Sequence, residues 1–130
     1  MNIDTLIKLI ELLKIENKQE GKTENELKST IKNELIGKYV IIRTYSAGVH
    51  AGILSCKEGN EVILTESRRL YRWNTANKGL SLSEVANGGL SKEKTKVCEA
   101  VPQQWLEAIE IIPCTDIAAK NIRNFEVYRV

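Results

Sequence analysis

From Tyr39 to Trp73 the chain alternates apolar and polar residues in short runs, and glycine or a polar cluster separates the runs. A period of two belongs to strands; a helix would scatter the same residues around its axis. Tyr39, Ile41, Arg43 and Tyr45 point one way, and Val40, Ile42 and Thr44 point the other. The spacing predicts strands over 39–45, 49–55, 61–65 and 69–73, with turns at Ser46-Ala47-Gly48 and Glu58-Gly59-Asn60. Short strands joined by glycine turns make an antiparallel meander. A strongly bent sheet of this kind tends to close into a small barrel, which removes its exposed edges.

The flanks read differently. Residues 4–16 predict a helix with Asp4 as N-cap: Leu6, Leu9, Ile10 and Leu13 form a stripe, and Lys8, Glu11 and Lys14 lie opposite. Asn17 to Lys22 is a polar connection containing Gly21. Thr23 and Glu26 form a capping box for a second helix, Leu27, Ile31 and Leu35 lie four apart on one face, and Gly37 is placed to end it. Such stripes need a partner, so residues 1–36 are expected to dock or to assemble copies of the chain, and residues 37–130 to form a compact β-rich domain. The overall expectation is an α+β chain: N-terminal amphipathic helices followed by a small antiparallel, barrel-like sheet.

Beyond Trp73, residues 74–96 are rich in Gly, Ser and Asn, with one helical turn at 82–86 capped by Ser81. Val97–Val101 reads as a strand ending at Pro102. The Ile-Glu-Ile-Ile run within 105–112 favours strand over helix, and Pro113 stops it. Thr115 caps a short helix to Ile122, and Phe125 to Tyr128 alternates as a last edge strand.

Charge is unevenly spread. Residues 37–83 carry seven bases against three acids, whereas 1–36 and 84–130 each carry one acid more than bases, so the positive charge sits with the strands. Cys56, Cys98 and Cys114 are widely separated and match no zinc spacing; their odd number and the lack of a secretory start point to reduced thiols in a cytoplasm. The leucine-rich start is broken by Lys8, Glu11 and Lys14, so no membrane span is expected. No phosphate loop, dinucleotide fingerprint, HExxH or nucleophile elbow is present, and no cofactor or metal is expected. His50, the single histidine, has no acid or serine partner nearby in sequence.

The densest polar cluster runs from Ser67 to Asn77. Guanidinium groups match phosphate oxygens, and aromatic rings stack on bases. Arg43, Tyr45, His50, Arg68, Arg69, Tyr71, Arg72, Trp73, Asn74 and Asn77 are therefore the candidate ligand-binding residues. The bland reading is that Tyr71 and Trp73 are core or interface residues while the arginines pair with Glu61 and Glu66 on the surface. Lys92, Lys94 and Lys96 read as a solvated loop that could close over a phosphate.

Two resemblances add to this reading. The strand-turn-strand from Gly37 to Arg69 looks like the first segment of Sm-like barrels, which implies rings and RNA binding. More distinctively, Ile42-Arg-Thr-Tyr-Ser-Ala-Gly-Val-His-Ala-Gly52, Arg68-Arg69, Leu82-Ser-Glu-Val-Ala86 and Glu107-Ala-Ile-Glu-Ile-Ile-Pro-Cys114 resemble an uncharacterised family of small phage and prophage domains spanning about 37–122. That resemblance implies action in a bacterial host cytoplasm. By analogy with the phage anti-Thoeris sponges, the expected function is sequestration, without cleavage, of a nucleotide-derived immune signal by a homo-oligomer assembled through the N-terminal helix. Sm-like binding of RNA or single-stranded DNA, and a phage protein-interaction module, are the alternatives.

Overall fold

The computed structural model describes residues 34–130, and Leu35–Val130 form one compact unit. The two expected N-terminal helices lie outside the described residues, apart from the last turn before Gly37, which takes a positive φ of 90°.

Six strands make one mostly antiparallel sheet: β1 (Tyr39–Arg43), β2 (Val49–Glu58), β3 (Glu61–Arg72), β4 (Lys96–Val97), β5 (Val101–Glu107) and β6 (Glu110–Pro113). Two short helices, α1 (Leu82–Gly88) and α2 (Asp116–Arg123), complete it. The ladder runs β6-β1-β2-β3, and the far side of β3 is shared: β5 pairs with its first half and β4 with its end.

The expected strands at 61–65 and 69–73 are one bent strand. Glu66 adopts φ 53°, and the register with β2 jumps from Thr65↔Ile53 to Arg68↔Ala51, so Glu66 and Ser67 together oppose Gly52. This is a β-bulge, which bends a strand and reverses which face each later side chain takes. A Cβ on Gly52 would lie 2.9 Å from the Thr65 carbonyl oxygen and 3.1 Å from the Ser67 Cα, so the crossing accepts only glycine. The Arg123 guanidinium donates to Glu66 Oε1 at 3.0 Å, tying the bulge to α2.

Cross-strand partners share a face. Tyr39, Ile41, Ala51 and Leu70 lie on the side covered by the helices, in a core with Leu82, Val85, Ala86 and Ile122. Val40, Ile42, Leu54, Val62, Leu64 and Leu106 fill the other, concave side. β1 is consequently buried on both faces, which is why Tyr39 to Ile42 contain no charge.

The chain passes from β5, at one side of the sheet, to β6, at the other, through Ala108 and Ile109 alone. The barrel expectation needs correction here. The Ala108 amide donates to Asn60 O and the Ile109 amide to Arg43 O, so these residues bind the hairpin turn and the end of β1. No ladder joins β5 to β6, and the sheet is curled but not closed.

Several local readings hold with shifted bounds. Gly59 takes φ 60° in the expected turn, and Thr115 Oγ1 accepts from the Ala118 amide as the α2 cap. Ser81 occupies the α1 cap position, but its side chain makes no capping bond. The expected strand at 97–101 is instead β4 plus the start of β5, with Pro102 inside β5. The expected last strand reduces to one parallel bridge, Val97↔Val127. Among the described residues no helix is long and apolar enough to cross a membrane.

Candidate binding cleft

The ten residues singled out in the sequence do not line one hollow. Arg68 is 4% exposed and faces the helices. Its Nε donates to Cys98 O at 2.9 Å, and its Nη1 to Ile122 O at 2.9 Å and Phe125 O at 2.8 Å, with a longer contact to Arg123 O. A buried cation here satisfies carbonyls at the C-terminus of α2, where the helix dipole favours positive charge. Burial lowers its pKa, and an arginine remains ionised even so.

His50 is fully buried on the concave face, opposite Ile42 and Arg69. Its Nε2 is 2.8 Å from Ala47 O, which makes Nε2 the protonated nitrogen, and Nδ1 has no partner among the described residues. Burial lowers its pKa, with the Arg69 charge acting in the same direction. Below it, Ser67 Oγ donates to Gln104 Oε1 at 2.8 Å. Arg69 reaches back over the turn, its Nε 3.9 Å from where a Gly48 Cβ would stand.

The others point elsewhere. Arg43 pairs with Glu110 at 2.8 Å. Tyr45 and Tyr71 are exposed, Arg72 is exposed beside β4, and Trp73 packs half-buried against the helix-side core. Asn77 lies against Gly88. Asn74 builds a loop: its amide donates to Thr95 Oγ1, its Nδ2 to Glu93 O, and its carbonyl accepts from Ser91.

That loop is one wall of a cleft of about 760 Å³, within the range of small-molecule sites. α2 forms the second wall. Its residues Ile117, Lys120 and Asn121 and its C-cap Asn124 recur at helical spacing and face the cleft, while Ala118 and Ile122 face the core. The C-terminal segment, with Phe125 and Tyr128, forms the third. Lys92 and Lys120 bring positive charge against the single carboxylate of Glu126. Lys120 also sits in the last turn of α2, where it favours the helix. Neither lysine has an ion-pair partner among the described residues.

Two predicted residues thus act on this cleft from behind. Arg68 holds the carbonyl of Phe125, and Asn74 holds the loop that carries Lys92 and Thr95. Asn121 clamps the start of that loop, accepting from the Leu90 amide at 2.8 Å. Lys120, Asn124 and Tyr128 were missed by the sequence reading. The spacing of 117, 120, 121 and 124 was the available signal, but nothing in it says which helix face meets solvent. Among the described residues no group of three or more His, Cys, Asp or Glu gathers to hold a metal.

Comparison with curated proteins and with solved structures finds no match. A protein family described as a domain of unknown function (DUF6948) matches residues 37–122. That span runs from Gly37, just ahead of β1, to Ile122 in α2, and takes in the sheet, the loop wall of the cleft and most of its α2 wall. On that match, covering well over half of its length, this chain belongs to the DUF6948 family.

Proposed function

We propose that this domain is a binding module that holds a small phosphate-bearing molecule in the C-terminal cleft without converting it. The observation that carries the reading is the cleft itself: Lys92 and Lys120 stand beside the aromatic side chains of Phe125 and Tyr128 in a space of about 760 Å³. Ammonium groups offer charge-assisted hydrogen bonds to phosphate oxygens, and rings accept a flat heterocycle. The groups whose pKa is displaced by burial, Tyr39, His50, Arg68 and Cys114, do not line it, which favours retention of a ligand over proton transfer to it.

The biological role we assign is sequestration. A phage-encoded module of this kind, assembled through residues 1–36, would withdraw a nucleotide-derived immune signal, such as a cyclic ADP-ribose isomer or cyclic oligonucleotide, from the host cytoplasm. The phage origin rests on the resemblance carried by the motif blocks between Ile42 and Cys114. Native mass spectrometry of protein purified from bacteria expressing immune signalling enzymes tests it. The expected result is an oligomer with a retained small molecule, released intact on heating. Recovery of a cleaved product would overturn retention. Charge reversal at Lys120 is expected to weaken binding about ten- to hundredfold, the value of one or two charge-assisted bonds.

A second reading, an Sm-like sheet binding RNA or single-stranded DNA, is favoured by the order β6-β1-β2-β3-β5 and the two-residue link from β5 to β6. It predicts steeply salt-dependent binding to RNA or single-stranded DNA.

A further inference from the structure

We infer that Tyr128 is a fixed stacking platform that makes the cleft selective for purine nucleotides over base-free phosphates; this rests on the cleft being the binding site. Tyr128 lies on the cleft wall with 49% of its surface exposed. Its backbone is tied to the segment that carries β4. The Tyr128 amide donates to Val97 O at 2.9 Å, and Val127 bridges Val97 in parallel. Beyond it, Arg129 pairs with Glu99 at 2.9 Å. Lys96, on the same edge strand, sets its ammonium 4.6 Å from the Tyr128 ring centroid.

An exposed tyrosine normally gives up rotamer freedom when a ligand orders it. Here the backbone bridge fixes the main chain and the cation favours one placement of the ring, so part of the entropy cost falls on folding rather than on binding. The ammonium occupies one ring face and draws electron density toward itself. The remaining face is then a better partner for an electron-rich heterocycle, and a purine covers more of it than a pyrimidine does. Phe125, the other ring at the cleft, is half-buried against the helix-side core, so it leaves less of its face open to a base. Lys92 and Lys120 sit on the other two walls of the same cleft, where a phosphate joined to a stacked base through its sugar would find them. A base-free sugar phosphate would engage the lysines alone.

The test is calorimetric titration of the full chain with AMP, CMP and ribose 5-phosphate, for wild type, Tyr128→Leu, Tyr128→Phe and Lys120→Glu. The wild type is expected to bind AMP most tightly and ribose 5-phosphate most weakly. Tyr128→Leu should weaken AMP binding about tenfold, the value of one base stacked on an aromatic ring, and leave ribose 5-phosphate unchanged. Tyr128→Phe should retain the preference. Equal affinity for AMP and ribose 5-phosphate, or an unaltered AMP affinity in Tyr128→Leu, would overturn the platform while leaving the lysine site standing. No binding of any of the three, or no effect of Lys120→Glu on any, would overturn the cleft reading and the platform with it.

Discussion

Replacing Arg68 with methionine keeps most of the side-chain volume and removes every bond the guanidinium makes. Of its acceptors, Ile122 O also receives the Phe125 amide, so it is not left bare. Cys98 O and Phe125 O are the carbonyls most dependent on Arg68, and both are partly shielded from water. An unsatisfied buried acceptor costs about 1–3 kcal/mol, and the loss of the charge at the α2 terminus adds several tenths. Some of this is offset because the guanidinium no longer has to be stripped of water. The expected net loss is about 2–4 kcal/mol, a large share of the roughly 5–15 kcal/mol by which such a domain is stable. Urea unfolding should show a lower midpoint at an unchanged slope, and the thermal midpoint should fall by at least about 10 °C. Arg68→Lys restores the charge without the planar fork and should recover only part of the loss. A loss under about 1 kcal/mol in Arg68→Met would refute the assignment of Arg68 as the tie between β3 and the C-terminal segment.

Three further outcomes follow from the same geometry. Gly52→Ala should destabilise by about 1–3 kcal/mol in chemical denaturation, because its Cβ meets backbone at the bulge rather than a side chain that can swing away; a neutral result would mean the bulge relaxes freely. Burial pushes the Cys114 thiol up to about 12, whereas Cys56 and Cys98 are exposed. A chromogenic disulfide reagent at mildly alkaline pH should therefore titrate two thiols in the native protein and the third only on unfolding. The folded pKa of His50 lies below its unfolded value of 6.5, so the folded state binds that proton less readily. Its stabilising contribution is complete above the unfolded pKa and is lost as pH falls through 6.5 toward the lower folded value. The thermal midpoint should decline as pH falls below about 6.5, and His50→Gln should flatten that slope; an equal slope in both proteins would count against a buried neutral imidazole.

The strand periods, the Gly59 turn and the Thr115 cap were legible because each depends on residues within a few positions of one another. The bulge was not legible. Glu66 carries no local mark of a left-handed backbone, and its conformation answers to Gly52 on the neighbouring strand. With the bulge unseen, Ser67 and Arg68 gave no sign that both are buried. The ten candidate residues lie apart for the same reason: side-chain direction follows from strand pairing, while the final partner depends on what packs above. Arg68 meets the end of α2, more than fifty residues later in the chain.

Local chemistry alone was enough to make the residues after Gly37 a small antiparallel sheet with short helices, because turn preference and alternation act over a few residues. Which polar groups are spent on holding the fold, and which remain for a ligand, was decided only when distant segments met. The cleft is the clearest case. Lys92, Lys120 and Tyr128 share no period and no motif, and they face one space because Asn74, Asn121 and Arg68 draw a loop, a helix and the chain's last residues together.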